Sequence, residues 1–353
     1  MKKIRILAFA LAALTLLAGL AGCGKSAGEK PAGLFYEASG IDPKSTIAAI
    51  NGREVSAEEY LYWLAYHCEV LVSQQGDFKW DDVISDGITY GEYAQRSALA
   101  TTIQFCLVQD LANKYRVSLT DDDRASLQKQ KDDDMLRYDG RDGYLRHLEM
   151  LGVSEETYDR INENYVLAAR LVDAAGTVGS NLYPSRDTLD SFMEGRTYAT
   201  VRLITLPLVG LDEEGRAAQE ALLAECAEQI RQADDPCAKL AELSESLGQK
   251  DGNVDQTLGS DVVDLVLMRA VSGLKEGEVS DVITTSNAMC VALRRPLDES
   301  AVARDCFTSY LSQARADAKV EVSKSYKGLD VGKFYTRLTE LRKAQFGDEQ
   351  TVE

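Results

Sequence analysis

Hydrophobic and polar positions alternate with two different periods along the chain. The first clear signal is TIAAINGREVS at residues 46–56, where two β-prone runs flank Asn51-Gly52. Both residues of this pair tolerate a positive φ, so the pattern predicts a tight β-hairpin. Ser56 and Glu59 then have the spacing of a helix capping box, and apolar residues recur behind them at helical intervals.

Helical spacing continues as far as about Phe192. Beyond the first helix, the pattern predicts helices over 90–115, from Thr120 onwards, over 143–151, from 154 to about 176, and over 185–193. The chain is therefore predicted to be almost entirely helical from the end of its opening hairpin to about Phe192.

The period changes at Tyr198. TYATVRLITLPL alternates as a strand does, residues 213–232 have the spacing of a long amphipathic helix, and Pro236 separates it from the next one. A third helix is predicted near 262–271, and EVSDVI and AMCVALRR are predicted as strands. The order β-α-α-α-β-β indicates an α+β sandwich, and helical spacing returns after residue 298, except at the strand-like KVEVS.

The N-terminus has the features of an export signal. Basic residues at positions 2, 3 and 5 precede an apolar stretch shorter than the roughly 20 residues that a spanning helix needs. The stretch ends in LAGC, which resembles the bacterial lipobox and implies that Cys23 is lipidated. A simple secretory signal with a chance cysteine is the alternative.

We accordingly expect a signal peptide over 1–22 and a lipid-anchored flexible tether over 23–45, because that segment is rich in Gly, Ser, Ala and Lys. The formal net charge of −18 argues against nucleic acid as a partner and against adsorption to anionic lipid. The predicted location is the extracytoplasmic face of the cell membrane, with the lipid on Cys23 as the attachment.

Residues that often carry chemistry give weak signals. Six cysteines follow the predicted anchor, without any CxxC pair, and we interpret most of them as buried thiols whose pairing the sequence leaves open: Cys68, Cys106, Cys226, Cys237, Cys290 and Cys306. The acidic run 132–134 fits a solvated helix face better than a calcium loop. His67 and His147 are predicted to be structural. We predict neither a cofactor nor a metal.

Several segments together resemble known folding factors. VRLITL and SGLKEGEVSDVI are similar to the first strand and the penultimate segment of parvulin prolyl isomerases. TIAAINGREVSAEEY, LGVSEETYDRINENYVLAARL and YPSRDTLDSFMEG resemble pieces of the N-terminal lobe of the PrsA and SurA foldases. The resemblance implies a helical chaperone lobe over 46–197, a parvulin-like domain over 198–297, and a C-terminal segment, 298–353, that returns to the lobe.

The catalytic inventory that the resemblance implies is not present. Parvulins use two histidines beside an apolar, partly aromatic proline pocket, and alignment places Arg202 at the first histidine and Met289 or Cys290 at the second. No Phe, Tyr, Trp or His occurs from Ala199 to residue 306. Met268 is a possible pocket residue, but core packing is the more ordinary role for such a methionine.

These observations favour a membrane-anchored extracytoplasmic chaperone that assists exported proteins, with a catalytically weak or inactive parvulin-like domain. Its partners would be unfolded or partly folded exported polypeptides, and the aromatic-rich lobe offers candidate client-binding residues: Tyr60, Trp63, Tyr66 and Trp80. An active prolyl isomerase with a divergent pocket is one alternative. A surface lipoprotein that binds a solute or partner is another, and the oligomeric state is left open.

Overall fold

The computed structural model describes residues 32–249, 251–259 and 264–347. The predicted signal peptide and the predicted lipidation site at Cys23 lie outside the described residues.

Thirteen helices and nine strands are described. The helices are α1 Leu34–Ser39, α2 Ala57–Gln75, α3 Tyr90–Tyr115, α4 Asp121–Arg137, α5 Arg141–Leu151, α6 Glu155–Gly176, α7 Arg186–Met193, α8 Glu213–Gln232, α9 Pro236–Ser246, α10 Leu265–Ser272, α11 Glu299–Ala316, α12 Lys324–Lys327 and α13 Val331–Phe346. The strands are β1 Thr46–Ile50, β2 Arg53–Ser56, β3 Val83–Ser85, β4 Ile88–Thr89, β5 Tyr198–Pro207, β6 Gln256–Gly259, β7 Ile283–Thr284, β8 Ala288–Arg295 and β9 Val320–Val322.

The predicted hairpin opens the first sheet, whose order is β2-β1-β9. Asn51 and Gly52 both have positive φ, 51° and 85°, as the turn requires. The third strand comes from the far end of the chain, since Ala49 pairs with Glu321 and the Lys319 N–H donates to Asn51 Oδ1 at 2.9 Å. Closing this sheet brings the C-terminal segment onto the helical lobe.

The predicted tether is wrong over its second half. Residues 34–39 form α1, and Leu34 and Phe35 are buried in the core of the lobe. Phe35 packs against Phe334 of α13, with ring centroids 6.1 Å apart. A composition rich in small residues suggested flexibility, but one aliphatic and one aromatic side chain in this short helix bury enough apolar surface to hold it in place.

Residues 198–295 form a second unit around an antiparallel sheet of order β6-β5-β8-β7. Helices α8 and α9 cover one face, where Ile204, Leu223 and Val291 share a core, and α10 covers the other face. The α+β class is confirmed. The predicted element order missed β6, a four-residue edge strand whose sequence, QTLG, has too little alternation to be distinguished from a loop.

Helix α11 leads from the second unit back to the lobe and packs against α6 and α7. The Asp298 N–H at its start donates to Thr200 Oγ1 at 2.9 Å, and Glu299 forms an ion pair with Arg186 of α7 at 2.6 Å. Within the described ranges, no helix combines the length and the apolar character needed to cross a bilayer.

Candidate functional site

An aromatic surface lies where side chains of α2 and α6 meet over α3. It consists of Tyr62 and Tyr66 of α2 and Tyr158 and Tyr165 of α6, one helical face on each side. Tyr66 and Tyr165 are 47% and 56% exposed, whereas the other two are half-buried. Solvent therefore meets four tyrosine side chains at the junction of two helices.

Trp63 lies beneath this surface and contacts it on several sides. Its ring centroid lies 6.1 Å from that of Tyr66, 6.4 Å from that of Tyr165 and 4.8 Å from that of Phe105 on α3. Phe105 also meets Tyr165 edge to face, at 5.2 Å and 87°. Edge-to-face contacts of this kind stabilise aromatic clusters beyond the area that they bury. The exposed tyrosines thus rest on a rigid base of buried rings.

The indole of Trp63 is an unusual part of this base. The residue is 2% exposed, and its Nε1–H has no hydrogen-bond partner among the described residues. A buried donor left without an acceptor costs free energy and is uncommon in folded proteins.

Polar contacts fix the two helices that carry the surface. Glu59 of α2 forms an ion pair with Arg160 of α6 at 3.2 Å, and the Glu58 carboxylate accepts a hydrogen bond from the Ser154 N–H at 2.7 Å. Buried Asn164 donates from Nδ2 to the Phe105 carbonyl at 3.0 Å, which ties α6 to α3. Because these contacts flank the tyrosines, the spacing of the rings is set by the fold.

Three phenols of the surface, those of Tyr62, Tyr158 and Tyr165, stay neutral at physiological pH. Burial, followed by the neighbouring Tyr158 and Tyr165, raises the pKa of Tyr62 above its usual range, and burial likewise raises the pKa of both of those neighbours. The hydroxyls therefore remain hydrogen-bond donors while the rings offer apolar faces. Such a surface suits an uncharged polypeptide segment.

The four predicted client-binding residues differ in their exposure to solvent. Tyr60 is fully buried, and its hydroxyl donates to the Gln95 carbonyl at 3.4 Å, so no client can contact it. Trp63 is also buried, so it supports the exposed tyrosines but cannot itself contact a client. Trp80 is half-buried against Tyr335, at 5.4 Å between ring centroids, and only Tyr66 is well exposed.

Sequence reasoning missed the contribution of α6. Tyr158 and Tyr165 stand seven residues apart, a spacing that places both on one face of a helix. Helical spacing alone does not say whether such a face is buried or exposed, and in the structure the two tyrosines lie beside the buried residues Ile161 and Asn164 and reach solvent.

The residues aligned with the parvulin histidines do not form a cluster. Arg202 and Met289 lie on the same face of the sheet, but the strand register pairs Arg202 with Leu293 and Met289 with Leu206, four positions or about 13 Å apart. Cys290 projects to the opposite face. The sequence-predicted site residues are therefore not brought together.

Each of these side chains has contacts that are structural and not catalytic. Arg202 donates to Asp255 at 2.5 Å, whereas Met268, Met289 and Cys290 are all at most 5% exposed within the two cores of the sheet unit. Burial raises the pKa of the Cys290 thiol to about 11, so it is not a thiolate at neutral pH.

Both histidines also make contacts of a structural kind. His67 Nε2 lies 2.9 Å from Thr101 Oγ1, and the His147 ring stacks on Tyr138 with centroids 4.0 Å apart. Burial lowers the pKa of both imidazoles, so both are neutral at physiological pH. Among the residues that the structure describes, no group of three or more potential ligands could hold a metal ion, and the six cysteines there are unpaired.

No protein-family model matches the sequence, and no curated protein matches it significantly. Among solved structures, the chain is similar to the foldase PrsA of Streptococcus pneumoniae, at 16% identity over 74% of this chain and 92% of that one, with a TM-score of 0.29. It is also similar to PrsA of Lactococcus lactis, at 14% identity over 83% and 99%, with a TM-score of 0.30. A SurA-like chaperone of Campylobacter jejuni matches at 10% identity over 79% and 99%, with a TM-score of 0.25.

PrsA and SurA are also the families that the sequence motifs resemble. The identities are below 20% and the TM-scores are well below 0.5. A functional assignment for this chain therefore depends on its own residues.

Proposed function

We propose that the protein is an extracytoplasmic chaperone that holds unfolded segments of exported polypeptides on the aromatic surface of Tyr62, Tyr66, Tyr158 and Tyr165. The observation that carries the proposal is the pair of exposed rings, Tyr66 and Tyr165, each of which meets the buried Trp63 edge to face. Exposed rings on a rigid base contribute apolar contact at little cost in conformational entropy, which favours binding to many different chains.

The charge of the chain supports the same function. A net charge of −18 keeps copies of the protein apart and favours client segments that are neutral or cationic. Weak contacts between rings and apolar client side chains would then compete with aggregation of the client without trapping it.

The second unit supports a scaffold role better than catalysis of proline isomerisation. A catalyst must bind the twisted amide more tightly than the planar one, and this requires a shaped pocket at the reacting bond. Arg202 lies about 13 Å from Met289 along the sheet, so the two side chains cannot act on the same amide bond. Met289 is also buried, so a substrate cannot reach it.

An aggregation assay tests the holding activity. The full chain should suppress light scattering by a reduced, cationic lysozyme, and the double variant Tyr66→Ser with Tyr165→Ser should need roughly tenfold more protein for half-suppression, since each ring contributes about 0.5–1.5 kcal/mol. The matched control is Tyr93→Ser with Tyr310→Ser, because these tyrosines are 45% and 44% exposed but belong to other surfaces. Equal loss in both double variants would contradict the assignment.

A protease-coupled assay on an Ala-Pro peptide tests the second unit. We expect no acceleration of cis-to-trans conversion above the uncatalysed rate. Clear acceleration that Met268→Ala or Met289→Ala abolishes would make the protein a divergent prolyl isomerase instead.

We also propose that Cys23 carries the lipid that holds the chaperone at the membrane. Two acyl chains are enough for stable anchoring where one is marginal. Growth with an alkyne-tagged fatty acid should label the wild-type chain and not Cys23→Ala. Equal labelling of the two would reject this attachment.

A further inference from the structure

The outer edge of β5 is only partly covered by β6. The ladder between the two strands runs from Tyr198↔Gly259 to Val201↔Gln256 and ends there, although β5 continues to Pro207. Beyond the last pair, a cleft of about 360 Å³ adjoins the edge. Its described lining consists of Leu203, Thr205, Gly248, Gln249, Asp251 and Gln256.

A side-chain amide already occupies one strand position along this edge. Gln249 Oε1 accepts a hydrogen bond from the Thr205 N–H at 3.2 Å, and Gln249 Nε2 donates to the Thr205 carbonyl at 2.5 Å. The two bonds reproduce what the peptide groups of a neighbouring antiparallel strand would form with Thr205. The edge therefore accepts an amide group in the geometry of a β-ladder.

Leu203 presents its main-chain groups to the same side. It lies opposite Ala292 of β8, whose N–H and carbonyl bond instead to the Ser280 hydroxyl and the Ser280 N–H, at 2.9 and 2.8 Å. Pairs in an antiparallel ladder alternate, so the Leu203 N–H and carbonyl point away from β8 and into the cleft. None of the described residues forms a hydrogen bond with these two groups.

Proline placement agrees with this register. Pro207 follows Thr205 by two residues, so its nitrogen lies on the same outer side of β5, where a proline can be tolerated because no ladder bond is needed. The open stretch of the edge is thus bounded by Gln256 at one end and Pro207 at the other, which leaves room for a short strand pairing with about four residues.

We propose that this edge of β5 is a second peptide-binding site, at which an extended segment of unfolded polypeptide adds as a strand and displaces the Gln249 side chain. Unpaired strand edges bind peptides in this way through main-chain hydrogen bonds. Leu203 is half-buried against the core under α10, so an aliphatic side chain of the added strand would extend that core. The net charge of −18 disfavours acidic segments, so the occupant is neutral or cationic.

The site is independent of the aromatic surface, and it shares with the proposed function only the class of ligand. A failure here is distinguishable from a failure of the chaperone assignment, because Tyr66→Ser with Tyr165→Ser changes the lobe and leaves the β5 edge intact. That double variant should bind a strand-forming peptide as well as the wild type does.

The test is fluorescence anisotropy with the full chain and a fluorescein-labelled peptide, Lys-Thr-Val-Thr-Val-Thr-Lys with blocked ends. Gln249→Ala removes the competing amide and should lower the Kd about fivefold, as expected for two hydrogen bonds that no longer need to be broken. The matched control is Gln219→Ala, whose amide donates to the Leu206 carbonyl from α8. This control should leave the Kd unchanged.

Two further arms separate edge pairing from other binding. The same peptide N-methylated at its five central residues keeps its side chains but cannot complete a ladder, so its binding should be lost. Thr205→Pro removes the N–H that Gln249 now contacts and should also abolish binding. If Thr205→Pro does not fold, the methylated peptide still decides the matter.

Three results would overturn the proposal. Equal binding of the methylated peptide would show that main-chain pairing is not used, and an unchanged Kd for Gln249→Ala would show that the peptide binds elsewhere. Concentration-dependent dimerisation of Gln249→Ala in sedimentation experiments, without peptide binding, would assign the edge to a second copy of the chain.

Discussion

The helical lobe and the sheet unit build their cores from different side chains. The lobe buries rings, with Phe35, Tyr60, Tyr144 and Phe334 all at most 1% exposed, whereas the sheet unit is packed by aliphatic, methionine and cysteine side chains. Among the described residues, the lobe has tyrosine rings about half exposed, such as Tyr66 and Tyr165, whereas Tyr198, the one ring of the sheet unit, is only partly exposed. The core of the sheet unit is well packed without aromatic side chains. Their absence therefore changes what its surface can bind more than it changes its fold.

The two units also differ in their exposed apolar residues, since both expose aliphatic side chains but the lobe also exposes tyrosine rings. Those of the lobe include Tyr66 and Tyr165, each supported by buried rings, while the sheet unit exposes aliphatic residues such as Leu265, at 72%, and Val209, at 85%, without aromatic support. We therefore assign side-chain recognition to the lobe and main-chain recognition to the strand edge.

Removing a ring from the core of the lobe should have the largest effect. Phe334→Ala should lower the free energy of unfolding by about 3–5 kcal/mol, because a cavity replaces a buried phenyl ring packed on Phe35. Both tryptophans of the chain, Trp63 and Trp80, lie in the lobe, so urea unfolding followed by tryptophan fluorescence reports on this unit.

The matched control for Phe334→Ala is Leu240→Ala in the core of the sheet unit. It should cost about 2–5 kcal/mol in far-UV circular dichroism and leave the fluorescence midpoint unchanged. Equal shifts of the fluorescence midpoint in both variants would mean that the two units unfold together. The helical lobe and the sheet unit could then no longer be treated as separate cores.

Asn164→Ala should have the next largest effect. Its amide is 1% exposed and donates to the Phe105 carbonyl, so the truncation should cost about 1–3 kcal/mol by leaving a buried acceptor without this partner. Glu163→Ala is the control, because Glu163 is an exposed neighbour on the same helix and its loss should change stability by less than about 0.5 kcal/mol. Urea unfolding measures both, and similar values for the two variants would contradict a structural role for the Asn164 bond.

Glu59 should make the lobe sensitive to pH. Burial raises its pKa above 4.5, against the opposing effect of Arg160, so the folded state binds this proton more tightly than the unfolded state does. The resulting stabilisation is fully present below pH 4.5 and is lost as the pH rises through the folded-state pKa.

Glu59→Gln removes this titration. Urea unfolding between pH 4.5 and 7 should show the variant gaining stability relative to the wild type as the pH rises. Glu54→Gln, at an exposed position on β2, provides the control and should show a flat difference. A difference of the opposite sign for Glu59→Gln would mean that the ion pair with Arg160 outweighs burial.

Arg202→Ala should have the smallest effect. Its ion pair with Asp255 lies near the surface, with side-chain exposures of 19% and 38%, and pairs of this kind are worth at most about 1 kcal/mol. Urea unfolding should shift by no more than that, and client holding should stay unchanged. A large loss of client holding in this variant would make Arg202 a functional residue and would give the sheet unit a direct part in binding.

Much of the element pattern could be predicted from the sequence. The helices over residues 90–115 and 213–232 begin and end where the apolar spacing predicts, because each is long and strongly periodic. The four-residue strand β6 could not be predicted, since four residues carry little periodic signal and its partner lies more than fifty residues earlier. The hairpin of β3 and β4, turning at Asp86-Gly87, was also missed despite its favourable turn pair.

The candidate site was predicted less well. Sequence reasoning named both Tyr66 and Tyr60 as candidate client-binding residues. Tyr66 is exposed, whereas Tyr60 faces Tyr326 in the core at 5.4 Å between ring centroids. Both occur on α2, and local spacing alone does not say which of two helix faces will be covered by a segment from the other end of the chain.

By itself, the sequence determined the helix spacing, the turn at Asn51-Gly52, and the lack of aromatic and imidazole groups from Ala199 to residue 306. These are local or compositional properties, and they need no knowledge of distant partners. Tertiary structure alone decided that α1 is packed against α13, that Tyr165 stands exposed over Trp63, and that the edge of β5 is open beyond Val201. The physical reason is that burial and strand pairing are set by long-range contacts, which a local pattern permits but does not select.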